Sequence, residues 1–220
     1  MFFILTTIQY LNILISCVAI SVGIRYSKSL KENKILLIIP ISSLLQIVFS
    51  EVLKIINRNH LDVLDQSIIL TNIYICLEFY LIILFFWKIT ESKLESILIL
   101  VSTLIATIAL FIFQKFEFKI NLISIDLFLI IEGPIILTLT LFYLVKSMKI
   151  KNVINCIQEP NYIAALGIFL SFLVLWPVNI LQNYFLKDTS TFFNFFFIAN
   201  STSYLIFFSF LTYSFYGTRK

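Results

Sequence analysis

The chain alternates seven long apolar stretches with short polar connections. Each stretch reaches about 20 residues, the length that a helix needs to cross the hydrocarbon core of a bilayer. The stretches cover residues 2–24, 35–56, 67–89, 94–113, 120–145, 162–185 and 192–216. This pattern predicts an all-α fold, a polytopic transmembrane bundle of seven helices with antiparallel sequential neighbours. Since no further segment remains, residues 1–220 are predicted to form a single transmembrane domain without a soluble domain.

Composition agrees with lipid as the main solvent of this chain. Hydrophobic residues make up 60% and charged residues 13%, with a mean hydropathy of +1.01. Soluble domains are about 45–50% apolar and about 25% charged. A soluble fold of 220 residues cannot bury so much apolar surface.

The distribution of basic residues predicts an orientation, because the cytoplasmic connections of membrane proteins carry more Lys and Arg. The connections after the first, third and fifth stretches and the C-terminus hold eleven: Arg25, Lys28, Lys31, Lys34, Lys88, Lys93, Lys146, Lys149, Lys151, Arg219 and Lys220. The opposite side holds five: Lys54, Arg58, Lys115, Lys119 and Lys187. The N-terminus is therefore predicted outside and the C-terminus in the cytoplasm. The net charge of +4 predicts contact with membrane lipids and not with nucleic acid.

Five ionisable residues inside the predicted spans are singled out: Glu51, Lys54, Glu78, Asp126 and Glu132. Such groups are costly in a bilayer, usually face the interior of the bundle and often mark function. Glu78 and Glu132 fall near the middle of their stretches. Glu51 and Lys54 are spaced i, i+3 and are placed to neutralise each other.

Uncharged polar residues recur at helical spacing in four stretches, which puts them on one face of each helix. They are Gln9, Asn12 and Ser16; Thr71 and Tyr74; Trp176, Asn179 and Asn183; and Asn200, Ser203 and Tyr204. The fourth stretch has only Ser and Thr in its interior and is expected at the periphery. The other six helices are predicted to line a polar cavity open to the outside. The alternative is that these residues only join helices through hydrogen bonds of roughly 0.6–2 kcal/mol each.

The candidate residues for binding a ligand or an ion are Glu51, Tyr74, Glu78, Glu132, Trp176, Asn179, Asn183, Asn200 and Tyr204. Gly133-Pro134, directly after Glu132, is the best site for a helix kink, because proline frees a backbone carbonyl one turn earlier. Residues 150–157 have the apolar spacing of a short amphipathic helix on the cytoplasmic membrane surface. An outward continuation of the fifth helix explains the same spacing equally well.

No metal site and no cofactor are predicted, since the three cysteines form no CxxC pair and His60 is the only histidine. Two functional interpretations remain open. The first is a membrane-embedded sensor or binding module that relays a signal to a cytoplasmic signalling partner. The second is a small transporter or a proton or cation pathway that uses Glu78 and Glu132. A membrane enzyme ranks third because no nucleophile or metal set is recognisable, and the oligomeric state stays open.

The segment 72–79, Asn-Ile-Tyr-Ile-Cys-Leu-Glu-Phe, resembles one in uncharacterised seven-helix integral membrane proteins of Bacteroidota. Ser50-Glu51, the region of Asn179 and the region of Tyr204 are also similar to that group. The resemblance covers most of the chain but depends on few polar positions. It implies the same fold and a location in the bacterial inner (cytoplasmic) membrane, and it implies no activity.

Overall fold

The computed structural model describes residues 2–26, 34–56, 62–90, 92–116, 124–151, 153–185 and 190–217. Within these ranges the chain forms eight α-helices and no strand. They are α1 (Phe2–Tyr26), α2 (Lys34–Ile56), α3 (Asp62–Ile89), α4 (Lys93–Phe116), α5 (Ser124–Ile150), α6 (Val153–Cys156), α7 (Pro160–Phe185) and α8 (Ser190–Gly217). The prediction of an all-α fold is confirmed.

The seven long helices follow the seven apolar stretches in order, with shifts at some boundaries. α3 begins at Asp62 instead of residue 67, and α5 runs from Ser124 to Ile150 instead of 120–145. Apolar length alone misses such extensions, because polar residues can extend a helix beyond its apolar core. An acidic residue favours a helix start and a basic residue such as Lys149 favours a helix end.

As a whole, residues 150–157 neither continue α5 nor form an extended surface helix, the two alternatives considered. α5 extends through Ile150, and only a single turn, α6, follows. The buried Cys156 thiol donates to the Ser147 carbonyl at 3.3 Å, and Lys151 pairs with Glu159. These contacts close a compact turn between α5 and α7 in place of a separate surface helix.

Six helices form a ring in the order α1, α2, α3, α5, α7 and α8, and α8 packs back against α1. α4 lies outside this ring, with its main contacts to α5 and α3. It exposes large apolar side chains along its length: Ile97, Leu98, Leu100, Val101, Leu104, Ile105 and Ile108. The predicted peripheral position of the fourth helix is confirmed.

Contacts near the helix ends show that α1 and α2 are antiparallel, whereas α1 and α8 run in the same direction. Gly23 of α1 packs against Leu37, near the start of α2, and against Phe215, near the end of α8. At the same end of the bundle, Ser214 donates to the Pro160 carbonyl at the start of α7, at 2.7 Å. We call this the basic end, because most of the basic residues at described helix ends gather there: Arg25, Lys34, Lys88, Lys93, Lys146, Lys149 and Lys151.

Three described segments are long and apolar enough to cross a membrane: Ile130–Ile150 in α5, Pro160–Val178 in α7 and Phe195–Gly217 in α8. Shorter apolar segments lie in α1, α2 and α4 at Tyr10–Tyr26, Lys34–Phe49 and Glu95–Ile108. The bundle is thus apolar on its outer surface as well as inside. Its fully buried core consists of large side chains such as Phe79, Phe128 and Phe208.

Candidate functional site

Glu78, near the middle of α3, is buried in the bundle with 3% of its surface exposed. The Tyr204 hydroxyl on α8 donates a hydrogen bond to its Oε2 atom at 3.1 Å. The bond joins two helices that are not neighbours along the ring. A polar contact therefore crosses the interior of the bundle at the level of Glu78.

Tyr74 lies one helical turn before Glu78 on the same face of α3, and it is also buried. Its ring centroid is 6.2 Å from that of Tyr204, with the two planes tilted by 51°. The Tyr204 and Ser43 hydroxyls and the Glu78 carboxyl surround the Tyr74 hydroxyl. None of them meets hydrogen-bonding geometry, so this buried hydroxyl has no partner among the described residues. A buried hydroxyl without a partner costs roughly 1–3 kcal/mol.

Glu132 on α5 brings a second carboxyl into the same region, with 2% of its surface exposed. Its carboxyl is close enough to Glu78 and Tyr204 to interact with them electrostatically. The described residues give it no hydrogen bond, and no described cation pairs with either glutamate. The ion pairs that the structure describes, Lys146–Glu95 and Lys151–Glu159, both lie at the basic end.

We call Ser43, Tyr74, Glu78, Glu132 and Tyr204 the glutamate–tyrosine cluster. Its members come from α2, α3, α5 and α8, and all are largely enclosed by the helices. A carboxylate at the centre of a bilayer costs roughly 2.5–3.5 kcal/mol on insertion scales. Two carboxyls without a cation therefore favour either protonation or the binding of a positive group.

Asn12 on α1 is a second buried polar group without a partner, at its Oδ1 atom. Gly23 and Phe215 are in contact, and α1 and α8 run in the same direction. Asn12 precedes Gly23 by eleven residues, and Tyr204 precedes Phe215 by eleven residues. Asn12 thus lies at the depth of the cluster, which adds an unsatisfied acceptor to the unpartnered Tyr74 hydroxyl at that level.

Gly133 and Pro134 shape α5 directly after Glu132. Pro134 lacks the N–H that would bond the Ile130 carbonyl. The indole nitrogen of Trp176 on α7 donates to that carbonyl at 3.3 Å. A side chain at position 133 would overlap the Trp176 side chain, whose Cβ would be only 2.9 Å away. Glycine is required here by the close approach of α7, and Trp176 replaces the hydrogen bond that proline removes.

The structure brings together Tyr74, Glu78, Glu132 and Tyr204 among the predicted site residues. Trp176 lies beside Glu132 but contacts the backbone of α5, and Asn200 is half-buried on α8, one turn before Tyr204. The side chains of Glu51, Asn179 and Asn183 lie outside the described part of the structure, as do those of Lys54 and Asp126.

Ser43 is a cluster member that the sequence prediction missed. It stands at i, i+8 from Glu51 on α2, a spacing that shares one helix face. A count of polar positions along that face would have identified it. Within the described residues, no group of three or more His, Cys, Asp or Glu side chains is placed to hold a metal ion.

A cavity of about 290 Å³ lies between α3, α4 and α5, closer to the basic end. Its walls are mostly apolar, and neither Glu78 nor Glu132 lines it. It is therefore distinct from the glutamate–tyrosine cluster.

Fold and site together define an all-α bundle with an apolar exterior and an acidic, tyrosine-rich centre. No protein-family model, curated protein or solved structure matches the chain. Function is therefore inferred from the geometry of the described residues.

Proposed function

We propose that this chain is an integral membrane protein of seven spans in a bacterial inner membrane, with its N-terminus outside and its C-terminus in the cytoplasm. The long helices have 23 to 28 residues. At 1.5 Å per residue, this length suffices for a hydrocarbon core of about 30 Å. The basic end then faces the cytoplasm, as the bias of basic residues toward that side requires.

Within this arrangement, we propose that the protein is a membrane-embedded sensor or binding module. The observation that carries this proposal is the buried Tyr74 hydroxyl, which has no partner although it lies beside a carboxyl. Buried polar groups in folded proteins are almost always hydrogen-bonded. A bound ligand would supply the missing partner.

The chemistry of the cluster favours a small organic cation, such as an amine. Glu78 and Glu132 supply negative charge, and the Tyr74 hydroxyl oxygen can accept an N–H donor. The rings of Tyr74 and Tyr204 can stabilise a cation over their faces. The two carboxyls would then be compensated by the ligand.

A layer of fully buried apolar side chains separates the cluster from the basic end, which favours binding over passage. The layer contains Leu36, Ile39, Ile82, Phe85, Ile168, Phe208, Leu211 and Phe215. These residues come from α2, α3, α7 and α8. Among the described residues, they form an apolar barrier along those helices.

A small transporter or a proton or cation pathway is the second candidate. The interaction between Glu78 and Glu132 favours it, because neighbouring carboxyls on different helices can exchange a proton. Flux into liposomes with a pH-sensitive dye inside would separate the two candidates. Transport requires that Glu78→Gln or Glu132→Gln abolish a flux seen with the natural chain, and a flux independent of both glutamates contradicts it.

Thermal stability in detergent tests the binding proposal, with ethanolamine and putrescine as probes at constant ionic strength. Saturating ligand should raise the Tm of the natural chain, since binding at 100 times the Kd adds about 2.7 kcal/mol to stability. Glu78→Gln should remove this increase. Tyr74→Phe should reduce it without lowering the Tm of the ligand-free protein.

Tyr213→Phe is the matched control, because Tyr213 is an exposed tyrosine on the same helix as Tyr204. It should respond to both amines as the natural chain does. An increase in Tm that persists in Glu78→Gln, or the absence of any increase in the natural chain, would contradict amine binding at the cluster.

A further inference from the structure

The cavity between α3, α4 and α5 opens at the side of the bundle. Leu98 and Phe142 line it and are about half exposed, so its mouth lies on the outer surface. Phe86 and Pro134 form part of its apolar walls. From Pro134 toward the basic end it follows α5 for about two turns, roughly 12 Å.

An ion pair lies where this cavity approaches the basic end. Glu95 lines the cavity, and its Oε1 atom accepts a hydrogen bond from Lys146 Nζ at 2.6 Å. Lysine has three donors and a carboxylate has two acceptor oxygens. The described residues leave Oε2 of Glu95 and two donors of Lys146 without a protein partner. The pair therefore offers one negative and one positive contact beside an apolar groove.

We infer that this groove binds the acyl chain of one phosphatidylethanolamine molecule, with its head group at the Glu95–Lys146 pair. The ammonium of the lipid would donate to Glu95, and its phosphate would accept from Lys146. A paired acid and base match a zwitterionic head group that carries donors on its ammonium. The inference shares the membrane-spanning arrangement with the proposed function but does not use the glutamate–tyrosine cluster.

Selectivity of the groove among lipids has to come from contacts with the head group. Acyl chains are already in an apolar solvent within the bilayer, so the groove gains little from the hydrophobic effect. Phosphatidylglycerol lacks the ammonium and would give the Oε2 atom of Glu95 no positively charged donor. Phosphatidylcholine has a quaternary ammonium that carries no N–H donor.

Native mass spectrometry of the full chain, released from nanodiscs with equal amounts of the three lipids, tests this site. We expect one retained phosphatidylethanolamine, in about fivefold excess over either other lipid, as a partly buried pair of charges allows. The double variant Glu95→Gln/Lys146→Gln should remove this preference. It avoids leaving one charge buried alone.

Two variants narrow the groove itself. Ser102→Phe fills it from α4 and Thr138→Leu narrows it from α5, since both residues line it. Each larger side chain occupies space that the acyl chain would fill. Both variants should therefore retain less lipid than the natural chain. If Ser102→Phe does not fold, Thr138→Leu and the double variant still decide the outcome.

Lys149→Gln is the matched control for charge, because Lys149 is exposed near the end of α5 and does not line the groove. It should retain the lipid as the natural chain does. Equal retention of the three lipids by the natural chain, or unchanged retention in both groove variants, would overturn the inference. The double variant Glu95→Gln/Lys146→Gln should keep the Tm response to amines, so failure of amine binding and failure of lipid binding remain distinguishable.

Discussion

At the scale of single residues, the two tyrosines of the cluster differ in one respect. The Tyr204 hydroxyl donates a hydrogen bond to the Glu78 carboxyl. The Tyr74 hydroxyl lies among polar groups but has no hydrogen-bond partner among the described residues. A hydrogen bond stabilises a fold, whereas an unpartnered buried hydroxyl destabilises it. Removing each hydroxyl should therefore have opposite effects on the ligand-free protein.

Tyr204→Phe should lower the free energy of unfolding by about 0.6–1.7 kcal/mol, the range for interhelical hydrogen bonds in membranes. Tyr74→Phe should leave it unchanged or raise it. Reversible unfolding in mixed micelles measures both. Equal destabilisation by the two substitutions would show that Tyr74 has a partner in the protein.

The two glutamates should also differ. Glu132 has no described hydrogen bond, so Glu132→Met, which keeps the length and removes the polar group, should stabilise the ligand-free chain by roughly 1–3 kcal/mol. Glu78→Met should destabilise it, because the buried Tyr204 hydroxyl would lose its acceptor. The same unfolding measurement applies, and destabilisation by Glu132→Met would show that the Glu132 carboxyl has a stabilising partner in the protein.

At the scale of the helix, α5 combines a proline, a glycine and a neighbouring tryptophan into one packing unit. Trp176 occupies the space that a side chain at position 133 would need, and its indole bonds the carbonyl freed by Pro134. This unit holds α7 against α5 directly beside Glu132. The position of that carboxyl thus depends on packing between the two helices.

Gly133→Ala should destabilise the protein by about 1–3 kcal/mol, the usual cost of overpacking a buried site. Gly217→Ala is the matched control, since no atom lies within 4 Å of a methyl group there. It should be close to neutral. Thermal unfolding of both variants measures the difference, and a neutral Gly133→Ala would contradict the close packing of Trp176.

At the scale of the whole molecule, a ring of six helices encloses the cluster and leaves α4 outside. Most Lys and Arg residues at described helix ends lie at one end of the bundle. The contact of Gly23 with Phe215 puts the ends of α1 and α8 on that same side. One measurement of sidedness therefore fixes the orientation of the entire bundle.

A green fluorescent protein fused after Lys220 should fluoresce, and alkaline phosphatase at the same position should be inactive, because the basic end is proposed to face the cytoplasm. Fusions near Arg58, in the connection after α2, serve as the control and should give the opposite pair of results. Active phosphatase after Lys220 would reverse the proposed orientation.

The sequence by itself determined the helices and the identity of the most costly polar residues. Apolar length and helical spacing are local properties, so they located seven long helices, the peripheral α4 and the carboxyls of Glu78 and Glu132. They could not locate the boundaries of α3 and α5, where polar residues extend the helices beyond their apolar cores.

Only the tertiary structure decided which polar groups meet. Tyr204 bonds Glu78 across the bundle, Ser43 joins the cluster, and Trp176 serves the backbone of α5 instead of lining a cavity. The spacing of residues along one helix defines a face, but not the rotation and depth of that face against another helix. Those two quantities are set by side-chain packing, such as Trp176 on Gly133, and they determine whether a polar group in the centre of the bundle finds a partner.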